Sequence, residues 1–144
     1  MRIFTIEEAN SLVPLLEKNF QKIFEINNQI KFVSKDVDNL ISIWGNEIFE
    51  KKNVDHDYYV EKIKQRDLLI KELQEEVERI QGMGAVVKDL DIGLVDFYYD
   101  NYGELVFLCW KFGEKEIIHW HPVSQGFRNR RSIDELFAIR RRTE

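Results

Sequence analysis

Two histidines on one predicted strand are the first residues of this sequence that could do chemistry. His119 and His121 flank Trp120, and side chains two positions apart on an extended strand project to the same side. Such a pair can give two nitrogen ligands to zinc or another divalent transition metal. Further ligands would have to come from carboxylates that lack motif spacing, namely Glu114, Glu116, Asp96, Asp89 and Asp91. The alternative, which we favour, is two histidines near a sheet end that are satisfied by ordinary hydrogen bonds.

Asp96 is a carboxylate with apolar neighbours in the segment 93–97. If it is buried, it must be paired or hydrogen-bonded, or its pKa must rise. It could act as a general base or a metal ligand, or it could accept a hydrogen bond from the Trp120 indole. We expect instead an arginine partner from the C-terminal segment, because buried acids usually serve structure.

Arginines are concentrated near the C-terminus. Arg130 follows the glycine–aromatic pair Gly126-Phe127, and Arg140, Arg141 and Arg142 follow the last apolar residue. An arginine beside an aromatic ring can hold a phosphate or stack on a base, but the net charge of −5 argues against nucleic-acid binding as the role of this chain. We expect Arg130 to hold a buried carboxylate such as Asp96, and the three terminal arginines to form a solvated tail.

Several classes of site are excluded by the residue content. Cys109 is the single cysteine, so one chain has no internal disulfide and no all-cysteine zinc site, and its apolar surroundings favour a thiol that packs as a small hydrophobe. The motifs GxGxxG, GxSxG, HExxH and CxxC and the P-loop are missing, and no nucleophile–base pair is evident. These observations favour a protein that is not an enzyme.

The elements that would position these residues begin with two helices. Thr5 and Glu8 have the spacing of a capping box, and apolar residues then recur every three or four positions from Ala9 to Trp44. A second stripe runs from Tyr59 to Ile80, before the glycines that follow it. The sequence therefore predicts an antiparallel helical hairpin over residues 1–82. The first stripe is the longer one, so we expect part of it to pack against a second copy of the chain.

After residue 84 the period changes to two, which predicts an antiparallel meander of three or four strands. The strands are expected at 94–99, 104–112 and 116–123, with a short additional one at 85–87. A second capping box at 132–135 predicts a short helix through Leu136, Phe137 and Ile139. The chain is thus predicted to be a single α+β domain: a hairpin at 1–82, a sheet at 83–131, and a short helix with a basic tail at 132–144.

The turns also predict which side chains share a face of the sheet. Pairing Tyr99 with Glu104 and Phe112 with Lys115 places His119 and His121 on the face of Val95, and Trp120 on the opposite face with Asp96. A slip of one residue would exchange these faces.

An ordered series of short motifs covers nearly the whole chain and resembles an uncharacterised bacterial family, domain of unknown function 2203. The motifs are Phe4-Thr5-x-x-Glu8-Ala9-Asn10-x-Leu12-x-Pro14-Leu15-Leu16, Gly84-Ala85-Val86-Val87-Lys88-Asp89, Gly93-Leu94-Val95-Asp96-Phe97, Leu108-Cys109-Trp110, Gly113-Glu114, Trp120-His121 and Gly126-Phe127-x-x-Arg130. The resemblance implies a small prokaryotic cytoplasmic protein and carries no activity with it. His119 lies outside the tryptophan–histidine motif, which directs attention to His121.

Two functional hypotheses follow. The first is a self-associating binding or scaffold protein, most simply a homodimer, whose interface Leu40→Asp would dissociate. The second is a metal- or small-ligand-binding protein, or an enzyme, with a site around Asp96, Glu114, His121 and Arg130, and with Trp120 beside it. A minor third possibility is phosphate or nucleic-acid binding through the C-terminal arginines. The acidic N-terminus and the short apolar runs indicate a cytoplasmic chain without a membrane partner.

Overall fold

The structure, a computed structural model, describes residues 1–136 and confirms the predicted α+β fold. Helices α1 and α2 are followed by five strands, and a short 3-10 helix follows each of α1 and β4. The bounds are α1 Ile6–Trp44, 3-10 Gly45–Phe49, α2 His56–Gly82, β1 Val86–Asp89, β2 Leu94–Asn101, β3 Glu104–Lys111, β4 His119–Pro122, 3-10 Phe127–Asn129 and β5 Arg131–Ser132. A further helix begins at Asp134. The rest of the predicted C-terminal helix, with Phe137 and Ile139, and the arginine tail lie outside the described residues.

The capping box at the start of α1 forms as predicted. The Glu8 N–H donates to the Thr5 hydroxyl oxygen at 3.1 Å, and the Thr5 N–H donates to the Glu8 carboxylate, also at 3.1 Å. The helix continues through Pro14, although proline removes one helical hydrogen bond. Buried Val13 and Leu16 on either side of it anchor this turn in the core.

The chain forms two compact units. One contains Met1–Gln21 together with the described residues from Val77 onward, and the other contains Lys22–Glu76. The second unit contains the greater part of the helical hairpin predicted at 1–82, and in it Lys62 of α2 pairs with Asp36 of α1 at 3.4 Å. Among the described residues, no helix combines the length and apolar composition needed to cross a membrane.

The strands form one antiparallel sheet in the order β1-β2-β3-β4-β5. The turn between β2 and β3 is two residues shorter than predicted, because Asn101 rather than Tyr99 pairs with Glu104. Tyr102 and Gly103 form this turn with φ angles of 52° and 88°, which is the left-handed backbone that a two-residue hairpin turn requires. The shift is two residues, so the predicted faces of β2 and β3 are retained. Strand β5 was not predicted.

The predicted register of β4 is wrong by one residue. Cys109 pairs with His119 and Phe107 with His121, so both histidines lie on the face that carries Asp96. Trp120 pairs with Leu108 and lies on the opposite face.

The reason for the shift is the connection between β3 and β4, which is a loop over residues 112–118 rather than a tight turn. The Trp110 indole donates to the Glu114 carbonyl at 2.8 Å, and the Lys111 N–H donates to the Glu114 carboxylate at 2.7 Å. The Ile117 N–H donates to the Asn10 side-chain oxygen at 2.6 Å. A contact to a residue more than a hundred positions away therefore helps set where β4 begins.

Thr5→Ala should lower the free energy of unfolding by about 1 kcal/mol, because the Glu8 N–H at the start of α1 loses its acceptor. Urea denaturation measures this. Ser42→Ala, at an exposed position within the same helix, should not lower it. An unchanged midpoint for Thr5→Ala would show that the cap does not stabilise the fold.

The stability that the Thr5–Glu8 cap contributes depends on pH, and Glu8→Gln removes this dependence. The Thr5 N–H lowers the pKa of Glu8 from its ordinary value of 4.5. The contribution of the Glu8 charge is therefore fully present above pH 4.5 and is lost as the pH falls through the lowered pKa. The stability difference between the parent chain and Glu8→Gln should shrink over that acidic range only.

Candidate functional site

Polar residues form a row across one face of the sheet. Asp96 on β2 pairs with Cys109 on β3, Cys109 pairs with His119 on β4, and His119 pairs with Ser132 on β5. Directly paired residues of an antiparallel sheet share a face. His121 is two residues beyond His119 and therefore projects to this same face. The register thus brings together a carboxylate, a thiol and two imidazoles.

Asp96 and His121 form a buried pair. The Asp96 Oδ2 atom lies 2.9 Å from His121 Nε2, and the two residues are 1% and 2% exposed. The other ring nitrogen, Nδ1, donates to the Pro122 carbonyl at 2.9 Å. The prediction that Arg130 would pair with Asp96 is therefore wrong, and the alternative Trp120 partner is also wrong because Trp120 lies on the opposite face.

The protonation of His121 is set by opposing effects. Burial alone would lower its pKa, but the hydrogen bonds to Asp96 and to the Pro122 carbonyl raise it, and they outweigh burial and the smaller opposing effect of the Lys88 charge. The pKa of His121 is therefore raised, which favours a doubly protonated ring. Both ring nitrogens face acceptors, so a protonated ring can donate to Asp96 and to the Pro122 carbonyl at once.

Cys109 completes a cluster of three buried ligand groups. One carboxylate oxygen of Asp96, the Cys109 Sγ atom and a ring nitrogen of His121 all lie within 4.8 Å of one another. Burial, together with the negative charge of Asp96, raises the pKa of the Cys109 thiol to about 12. The Oδ1 atom of Asp96 is buried and has no hydrogen-bond partner among residues 1–136. The sequence analysis treated Cys109 only as a packing residue.

A second cluster lies beside the first and contains Arg130, Glu114 and His119. Arg130 Nη2 donates to the Glu114 carboxylate, whose two oxygens lie at 2.8 and 2.6 Å, and it lies 2.6 Å from His119 Nδ1. The Arg130 side chain is 11% exposed, and its guanidinium lies 5.0 Å from the centre of the Phe127 ring. Arg130 is fixed by a carboxylate, as predicted, but that carboxylate is Glu114 rather than Asp96.

The predicted four-residue site is thus divided into two adjacent pairs. Asp96 with His121 and Glu114 with Arg130 lie on either side of the paired residues Cys109 and His119. Trp120 takes no part in either pair. It is buried on the other face of the sheet, where the Arg131 guanidinium lies 5.5 Å from its ring.

A cavity of about 220 Å³ opens beside the first cluster. Asp96, Cys109 and His121 all contribute to its wall, and Lys88 and Gln125 contribute further polar groups. A metal ion held by the three buried residues would therefore have one side accessible to a small molecule in this cavity.

These features define an α+β protein whose antiparallel sheet buries a carboxylate, a thiol and an imidazole at one cavity. The family model described as "Uncharacterized conserved protein (DUF2203)" matches residues 2–133, and the chain belongs to this family. The resemblance noted in the sequence is thereby confirmed. No curated protein and no solved structure matches the chain.

Arg130→Ala should lower the free energy of unfolding by about 3 kcal/mol, because it leaves the largely buried Glu114 charge without its partner. Urea denaturation measures the loss. Arg128→Ala is the matched control, since Arg128 is an exposed arginine two positions away. Equal stability of the two variants would contradict a structural role for the Arg130–Glu114 pair.

Proposed function

We propose that this protein binds one divalent transition metal ion, of the zinc class, through Asp96, Cys109 and His121. The observation that carries the proposal is the convergence of three buried ligand atoms within 4.8 Å of one another. Carboxylate, thiolate and imidazole are the three side-chain ligand types of zinc, and a tetrahedral ion holds its ligand atoms about 3.3–3.8 Å apart. The cluster therefore needs only a small adjustment to surround an ion.

The hydrogen bonds around the cluster support this use. His121 Nδ1 donates to the Pro122 carbonyl, which leaves Nε2 facing the cluster. A histidine that ligates a metal typically donates its other ring N–H in this way. The buried Oδ1 atom of Asp96 lacks a hydrogen-bond donor among the described residues, so it has a free lone pair for an ion.

Charge balance also favours binding. With His121 protonated, the metal-free cluster consists of a carboxylate, an imidazolium and a neutral thiol, which sum to zero. A divalent ion would displace one proton from His121 and one from Cys109, and the sum would again be zero. Metal binding therefore adds no net charge to a buried site, where net charge is costly.

Cobalt gives a direct test because Cys109 is the only cysteine of the chain. Titration of the untagged protein with Co²⁺ should produce a thiolate-to-cobalt charge-transfer band, and zinc should displace it. Asp96→Asn and His121→Gln should each weaken cobalt binding by at least about tenfold, because each removes one ligand. Circular dichroism checks that the variants are folded.

His119→Gln is the matched control, since His119 faces the same side of the sheet but is held by Arg130 and Glu114. It should bind cobalt like the parent chain. Absence of the band in the parent, or equal cobalt affinity of the His121→Gln and parent proteins, would overturn the proposal.

A second function, self-association, is favoured by a different observation in the hairpin unit. Phe32 of α1 and Leu68 of α2 are 74% and 68% exposed, and they line one apolar groove with Val33 and Leu69. A second copy of the chain would cover such a groove by forming a four-helix bundle. Leu40 is not part of this surface, because it is buried within the chain. Leu40→Asp therefore tests folding rather than association.

Sedimentation equilibrium at micromolar concentration tests this second proposal. The parent chain should sediment at twice its mass of 17.3 kDa, and Phe32→Glu or Leu68→Glu should give the single-chain mass because a charge enters the groove. Val54→Glu is the control, since Val54 is exposed and apolar but lies outside the groove. A parent chain that sediments at the single-chain mass would refute self-association.

A further inference from the structure

We infer that the open coordination position of the proposed ion takes a small oxyanion, whose far end is held by the Lys88 amine. This inference rests on the proposed metal site. It follows from the cavity beside the three ligands, from the charge that Lys88 brings to it, and from the small space available.

Lys88 is the basic residue of the cavity wall. Its Nζ atom lies 4.8 Å from the centre of the Phe107 ring, and Phe107 is the strand partner of His121. Within residues 1–136, no carboxylate lies within ion-pair distance of this amine. Its positive charge is also felt at the His121 ring, where it opposes protonation. The amine is therefore near the cluster and free to bind an anion.

The neighbouring carboxylate, Asp89, is not the ion-pair partner of Lys88. Asp89 follows Lys88 on β1 and also lines the cavity. Its Oδ1 atom accepts the N–H groups of Asp91 and Ile92 at 2.8 and 3.1 Å. The carboxylate is thus engaged by the backbone of the turn after β1, and these two N–H dipoles offset part of its charge.

The charged groups at the cavity leave the Lys88 amine as the one placed to bind a negative ligand. The divalent ion is neutralised by the Asp96 carboxylate and the Cys109 thiolate, and the Glu114–Arg130 pair beside them is neutral in sum. The Asp89 carboxylate is held by backbone N–H groups, whereas the Lys88 amine has no ion-pair partner among the described residues. An oxyanion could bind the ion with one oxygen and Lys88 with another, so that both contacts are charge-assisted.

The volume suits a small ligand. A cavity of about 220 Å³ has room for several water molecules. Carboxylates and phosphates of a few non-hydrogen atoms fit this space. Gln125 contributes a side-chain amide and Phe127 an apolar wall, which suits a short oxyanion with a small apolar part.

The experiment uses the cobalt-loaded full-length chain and follows its charge-transfer band. Acetate and inorganic phosphate are titrated separately, and acetamide is the uncharged counterpart of acetate. At least one of the two oxyanions should shift the band with saturation, whereas acetamide should not. A shift with acetate alone identifies the carboxylate class, and a shift with phosphate alone identifies the phosphate class.

Lys88→Met should weaken the oxyanion effect by at least about tenfold, because the charge-assisted contact is lost. Lys115→Met is the matched control, since Lys115 is an exposed lysine outside the cavity wall, and it should respond like the parent. Cobalt loading is measured first for each protein. If cobalt binds but neither oxyanion shifts the band, or if Lys88→Met responds like the parent, the inference is overturned and the metal site stands. If cobalt does not bind, both proposals fail.

Discussion

The constraint on which this structure depends is a carboxylate buried inside an antiparallel sheet. Asp96 is 1% exposed, and a buried charge without a partner would cost several kcal/mol. His121 supplies the partner only because β4 is placed with His121 on the Asp96 face. The pairing of strands and the pairing of charges therefore require each other. A slip of β4 by one residue would place Trp120 on the Asp96 face and leave His121 on the opposite face of the sheet.

The same constraint explains why chemistry is concentrated on this face. Cys109 is the strand partner of both Asp96 and His119, so the thiol lies between two ionic clusters. The Glu114–Arg130 cluster holds His119 and the loop before β4, and so supports the register that brings His121 to Asp96. Among the described residues each cluster has a buried atom without a hydrogen-bond partner, Arg130 Nε and Asp96 Oδ1, but only the Asp96 oxygen can bind a cation, and it lies beside a thiol and a cavity. That difference is why the metal proposal rests on Asp96, Cys109 and His121.

The sequence was sufficient for the features that depend on local pattern. The Thr5–Glu8 cap, the two helices and strands β2 and β3 follow from spacing and period over short stretches. The faces of β2 and β3 were also predictable, because the error in their turn was two residues.

What could not be predicted depends on distant contacts. The start of β4 is set partly by Asn10 bonding to Ile117, which no local pattern reveals. Without that register, the sequence analysis paired Asp96 with Arg130, whereas their partners are His121 and Glu114. For the same reason Cys109 could not be recognised as a neighbour of His121. The exposed positions of Phe32 and Leu68 depend on which side of the hairpin each helix turns outward, and they were missed for that reason.

X-ray absorption spectroscopy at the zinc edge of the zinc-loaded protein tests the central claim most directly. The proposed site predicts one sulfur ligand at about 2.3 Å and nitrogen or oxygen ligands at about 2.0–2.2 Å, with the scattering pattern of a single imidazole. A sulfur at about 2.3 Å is at the zinc–thiolate distance, and Cys109 is the only cysteine. A first shell of nitrogen and oxygen alone would show that zinc binds elsewhere and would contradict the site at Asp96, Cys109 and His121.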